Sequence, residues 1–165
     1  MLANQLDDVW ALQPATAIEI DQLMSWFSDK HTVVEWGGPE FRYPYTRVTF
    51  HEDVCWRKVA SYILHDSSGH LVAFGQFYNR IGRIHLARLV VHPAARGRGI
   101  GKMLIDELMT AARRLLSFAE FSLFVNRNNL IALQCYESMG FVVRNYPDAM
   151  PVEDNCLYMT RLVDE

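Results

Sequence analysis

The sequence of 165 residues predicts an α/β layered domain, and three observations carry the prediction. Short apolar runs of strand character, bounded by turn residues, recur through the middle and end of the chain. Two later segments, from Gly99 and from Asn129, switch to helical spacing. A glycine-rich basic stretch, "RLVVHPAARGRGIG" (Arg88–Gly101), joins a β-branched run to the first of those helical segments. The expected order is α, α, βββ, α, β, α, ββ.

Each element has its own signal. "QPATAIEIDQLMSWFS" reads as a lead-in and a helix: Thr16 and Glu19 form a capping box, and Ile20, Leu23, Met24 and Phe27 make the apolar stripe. "DKHTVVEWGGPEFRYPYT" contains two glycines and two prolines and reads as loop. Residues 46–54 form a short amphipathic helix. Lys58–His65 and Leu71–Tyr78 flank the turn "DSSG" as a hairpin, and Ile84–Val91 is a further strand. From Gly99 to about Phe118, Leu104, Leu108, Ala112 and Leu115 recur at helical spacing, with Ile105 and Met109 widening the face. Phe121–Val125 is a strand. Asn129–Met139 is a helix stopped by Gly140 at the left-handed C′ position, with apolar Phe141 behind it. Phe141–Arg144 and Cys156–Leu162 complete the strands.

Composition bounds the function. The length suits one domain over residues 1–165. A formal net charge of −3 argues against a nucleic-acid partner. The start, "MLANQLDDVW", lacks the basic and apolar regions of a signal peptide, and no apolar run approaches the roughly 20 residues that span a bilayer. Cys55, Cys135 and Cys156 form no C-x-x-C pair, and the six histidines have no metal-ligand spacing. The expectation is a cytoplasmic protein without metal or membrane partner.

A strand, a glycine loop and a helix suit a phosphate. A P-loop would need glycine where Arg96 stands and a hydroxyl where Met103 stands. The dinucleotide fingerprint needs its third glycine where Lys102 stands, and Glu120 precedes the next strand instead of ending it. Arg96-x-x-Gly99-x-Gly101, with Val91-x-Pro93 upstream, resembles the pyrophosphate motif of the GNAT N-acetyltransferase superfamily. Physically, Gly97, Gly99 and Gly101 let the backbone approach, successive N–H groups including that of Ile100 point at the anion, and the helix adds its dipole. Arg96, Arg98 and Lys102 add charge. Downstream, "FSLFVNRNNLIALQCYESMGF" resembles the same family's second signature through Asn129, Ala132, Tyr136, Gly140 and Phe141. Asn129 and Tyr136 are seven residues apart, on one helix face and about 10 Å apart along its axis.

The resemblance implies a mixed, mostly antiparallel sheet of six or seven strands, splayed between the fourth and fifth and flanked by about four helices. Those two strands are Ile84–Val91 and Phe121–Val125. It also implies acetyl-CoA as co-substrate, its pantetheine bonded to the backbone of Leu89 and Val91. The N–H groups near Leu89 and Val90 would polarise the thioester, and Tyr136 would protonate the leaving thiolate while Asn129 touches the cofactor. Where some members carry a glutamate base, this sequence has His85, and the base is His85 or a water chain. Glu35, Trp36, Glu40, Phe41 and Tyr43 either enclose a cationic acceptor, or Trp36 and Phe41 plug the core. Arg88 and His92 read as structural. The acceptor is a small-molecule or protein amine, and a homodimer is the common assembly of such enzymes. A non-catalytic acetyl-CoA-binding module is the alternative, disfavoured by the presence of both Tyr136 and Asn129.

Overall fold

The computed structural model describes residues 12–147 and 155–164. Seven strands form one sheet: β1 (Gln13–Pro14), β2 (Ala60–His65), β3 (Leu71–Arg80), β4 (Arg83–Val91), β5 (Glu120–Asn126), β6 (Val142–Arg144) and β7 (Cys156–Leu162). Their order is β1-β2-β3-β4-β5-β7-β6, and every pairing is antiparallel except β4–β5. The helices are α1 (Ala17–Leu23), α2 (Lys30–Gly37), α3 (Arg47–Val54), α4 (Ile100–Leu115) and α5 (Leu130–Ser138). The described residues thus hold five helices where about four were expected.

Three differences have physical causes. α1 is shorter than its apolar stripe, because the chain tightens into a 3-10 turn over Met24–Trp26 and is extended at Phe27. Its capping box forms as read, with the Thr16 N–H donating to Glu19 Oε2 at 2.9 Å. α2 lies in the stretch read as loop. Asp29 caps it by accepting from the Thr32 N–H at 2.9 Å, and the glycines that suggested a loop are where it ends, with Gly38 at φ 103°. β1 is two residues long and carries no periodic signal.

Strand alternation sorts the core into two layers. On one face, Ile84, Leu86, Phe121, Leu123, Val125 and Met159 pack with Ile100, Leu104, Ile105, Leu108 and Ala112 of α4. On the other, Ile63, Phe74 and Val90 pack with Ile20, Leu23, Val33, Phe41, Phe50 and Val54 of the N-terminal helices. Gly75 in β3 lets α4 approach: a Cβ there would stand 2.5 Å from Leu108 Cδ1 and 3.0 Å from Leu89 Cδ2. Among the described residues, no helix is long and apolar enough to cross a membrane.

Candidate active site

The parallel β4–β5 pair is short. Only Ile84↔Phe121 and His85↔Ser122 are in register, whereas β4 stays paired to β3 as far as Val91 and β5 to β7 as far as Asn126. Each strand keeps its outer partner and loses its inner one, so the sheet opens beyond His85 and Ser122. The mouth lies at the carboxyl ends of two parallel strands, the usual ligand position in open sheets.

A bulge in β4 shapes one wall of this gap. Phe74 opposes Val90 and Gln76 opposes Ala87, which leaves Arg88 and Leu89 together opposite Gly75. Arg88 takes a left-handed backbone, φ 49°. The His92 N–H bonds the Val72 carbonyl at 2.8 Å, which fixes the alternation along the strand. Val90 is therefore directed at β3, while the backbone groups of Val91, and by the same alternation Leu89, are directed into the gap. Arg96 Nε reaches back to the Val91 carbonyl at 3.3 Å, tying the glycine loop to the strand.

The bulge is braced from the N-terminal helices. Trp36 Nε1 donates to the Arg88 carbonyl at 2.8 Å. The Arg88 guanidinium donates to the Val54 carbonyl at 2.9 Å, the Gly37 carbonyl at 3.1 Å and Gln76 Oε1 at 3.3 Å. Gln76 in turn donates to the Val54 carbonyl and to Ser61 Oγ. Arg88 is thus a structural hub, as read from the sequence. Trp36 stacks on Phe27 with ring centroids 4.6 Å apart, and Phe41 is 4 % exposed and packs over Gly37. These two rings face the core, whereas Glu35, Glu40 and Tyr43 are exposed.

After β4 the chain makes a 3-10 turn over Pro93–Ala95, capped by His92, and enters the glycine loop. Gly97 and Gly99 both have φ of 79°, a conformation that strains any other residue, and Gly99 is the N-cap of α4. The first-turn N–H groups of α4, Ile100 to Lys102, have no intrahelical acceptor. The Ile100 side chain is buried, Arg96 and Lys102 are exposed, and Arg98 is half-buried. The two sequence signatures lie within electrostatic reach of each other: burial raises the pKa of the Cys135 thiol on α5, and the Lys102 ammonium on α4 opposes that shift.

Asn129 is the N-cap of α5, accepting from the Ala132 N–H at 3.2 Å, and it is exposed. Its oxygen serves the cap, which leaves its amide N–H groups for a ligand. Tyr136 is half-buried, its ring edge-on to Phe141 at 6.2 Å. Burial, with Cys135 adding to it, pushes the phenol pKa above its ordinary value, so the hydroxyl holds its proton at neutral pH.

His85 is 2 % exposed, and its Nδ1 is 2.8 Å from Ser122 Oγ. Burial, helped by Arg80, lowers its pKa to about 3. Around it lies a cluster that the sequence reading did not single out. Tyr78 and Phe124 lie 5.3 Å and 4.9 Å from its ring, and Arg80 covers Phe124 at 4.8 Å and Tyr146 at 5.5 Å. Alternation within β3 and β5 places Tyr78 with Arg80 and Ser122 with Phe124, but only the register between strands brings the pairs together. Among the described residues, no group of three or more His, Cys, Asp or Glu is placed to hold a metal ion.

Comparison with known proteins agrees with this geometry. The acetyltransferase (GNAT) family model matches residues 21–141. A spermidine N-acetyltransferase from Vibrio cholerae, solved with CoA and spermine, is similar over 94% of this chain and 96% of its own, with 16% identity and a TM-score of 0.72. A PaiA N-acetyltransferase from Thermoplasma acidophilum, solved with coenzyme A, is similar over 94% and 99%, with 16% identity and a TM-score of 0.71. YncA from Salmonella typhimurium, solved with its cofactor acetyl-CoA, is similar over 94% of both chains, with 16% identity and a TM-score of 0.68.

Proposed function

Because the chain belongs to the acetyltransferase (GNAT) family, we propose that it transfers an acetyl group from acetyl-CoA to a primary amine by direct attack on the thioester. The opening between β4 and β5 carries this reading, since it offers unpaired backbone groups beside a glycine loop built for a diphosphate. Acetyl-CoA supplies the acyl thioester. Leu89 and Val91 hold the pantetheine arm through their gap-facing backbone groups, as a strand edge holds an added strand. Gly97 to Lys102 cradle the diphosphate with backbone N–H groups, and Arg96 and Lys102 add charge.

The N–H groups at the bulge polarise the thioester carbonyl, and their fixed position requires no reorganisation as charge develops. Tyr136 gives its proton to the departing sulfur. A phenol remains protonated at neutral pH, and it can give its proton to a thiolate whose conjugate acid is somewhat stronger because the transfer accompanies breaking of the C–S bond. His85 does not suit the base role. An imidazole that titrates at about 3 is far too weak a base for an alkylammonium, and its Nδ1 is engaged with Ser122. The amine proton therefore leaves through a water chain, and His85 positions the last paired rung below the gap.

Release of free thiol from acetyl-CoA, followed across a panel of primary amines, tests the reaction. Acceptor-dependent release with an N-acetylated product is expected. Acetyl-CoA binding with no release across the panel would favour the non-catalytic module.

A further inference from the structure

Resting on the acetyltransferase reading above, we propose that the acceptor is an amine that also carries a carboxylate, of the amino-acid type, which Arg80 holds beside an aromatic floor of Phe124 and Tyr146. The site lies on the sheet face opposite α4. Residues 121, 123 and 125 of β5 face α4, so Ser122 and Phe124 face away from it, as do Tyr78 and Arg80 of β3 and Tyr158 of β7. α1 to α3 cover the β2–β4 part of that face, and the cluster lies beside them, at the point where β4 and β5 separate.

Its charge is one-sided. Arg80 Nε donates to Tyr146 Oη at 3.0 Å and Nη1 to Tyr78 Oη at 3.3 Å. A guanidinium has five N–H donors, so its Nη1–Nη2 edge keeps three, in the fork geometry that takes a carboxylate bidentately. Among the described residues, no carboxylate forms an ion pair with Arg80 or Arg88. A half-buried guanidinium that meets only phenols and π-faces favours an anion and repels a polycation. The Tyr158 hydroxyl adds a polar group: it is buried, with the residue 3 % exposed, and has no hydrogen-bond partner among the described residues. Tyr146 stands edge-on to it at 5.0 Å. A carboxylated acceptor supplies what the cluster lacks, an acceptor oxygen for the arginine fork and a partner for the phenol.

Phenylalanine, tyrosine and leucine should be compared as acceptors with their decarboxylated amines and with spermidine. The amino acids should lead in kcat/KM by tenfold or more. Arg80→Gln should shrink the ratio of acid to amine by roughly 10- to 100-fold, and Arg80→Lys by less, because a lysine keeps the charge and loses the fork. Calorimetry of N-acetylphenylalanine against N-acetylphenethylamine, with coenzyme A present, reads the same preference without turnover. Equal or better use of the decarboxylated amines, a preference for spermidine, or a ratio unmoved by Arg80→Gln overturns the inference. If no amine of any class releases thiol, the acetyltransferase reading fails. Calorimetry then decides the carboxylate site alone: tighter binding of the acid sustains it, and equal binding overturns it.

Discussion

Replacing Trp36 by phenylalanine tests the brace behind the β4 bulge. The substitution keeps an aromatic ring against Phe27, 4.6 Å away, and removes the Nε1–H that meets the Arg88 carbonyl at 2.8 Å. A half-buried carbonyl that loses its donor costs about 1–2 kcal/mol, and the smaller ring forfeits roughly another 1 kcal/mol of burial. For a chain of this length, about 1 kcal/mol corresponds to roughly 2–4 °C, so Tm should fall by roughly 4–12 °C. A kinetic effect should accompany it. The left-handed Arg88, at φ 49°, costs of order 1 kcal/mol and persists only while its surroundings hold it. Without the indole the bulge relaxes, Leu89 and Val91 lose their aim, and kcat/KM for acetyl-CoA should fall roughly tenfold. Trp56→Phe is the matched control. That indole also donates one hydrogen bond, to His51 Nδ1 at 3.1 Å, but outside the gap. It should lower Tm and leave the kinetics alone. Thermal melts and initial rates on both variants decide the matter. A Trp36→Phe protein within about 0.5 kcal/mol of the parent and with unchanged kcat/KM would refute the brace.

Two other outcomes follow from the buried titratable groups. Tyr136→Phe removes the proposed proton donor and should lower kcat by roughly 10²- to 10⁴-fold, read by thiol release at saturating acetyl-CoA; full kcat would remove Tyr136 from the reaction. His85 has a folded pKa of about 3, below its unfolded value of about 6.5, so the unfolded chain binds the extra proton between those values. Its stability contribution is complete above about pH 6.5 and is lost as pH falls towards 3, by about 1.4 kcal/mol per pH unit in that window. Denaturant melts of His85→Gln should therefore show a flatter acid limb than the parent between pH 6 and 4. An equally steep limb would mean that His85 is not the buried neutral group described.

The sequence shows the parts of the site that one strand or one helix carries alone. Gly97 and Gly99 announce a left-handed loop wherever they sit, and the pattern from Asn129 to Phe141 defines α5 and its glycine stop without reference to any partner. α2 was hidden for a local reason: its Asp29 cap was present, but the glycines and prolines just past its end outweighed it. The bulge was hidden for a non-local one. Nothing in "RLVV" says that Arg88 leaves the strand conformation; that follows from Gly75 standing opposite and Trp36 behind it. The Arg80 cluster draws on β3, β5, β7 and the segment after β6, and only strand register assembles it.

In the proposed reaction the same strand serves both substrates, and this makes the N-terminal helices part of the site although they contribute no part of the phosphate loop. β4 is gripped by β3 along its whole length but by β5 only at Ile84 and His85. Beyond that point its free edge has no partner strand to hold it flat. The bulge directs that edge, and Arg88 and Trp36 transfer the load to α2 and α3 through Gly37 and Val54. Arg88 donates to Gln76, two residues before Tyr78 on β3, and Tyr78 accepts from Arg80, so β3 links the brace proposed to aim the thioester to the cluster proposed for the acceptor. A change in the N-terminal helices should therefore alter acetyl-CoA use and acceptor preference together. Damage to the glycine loop should alter the first alone. Rate measurements with two acceptors on one variant from each region separate the two patterns.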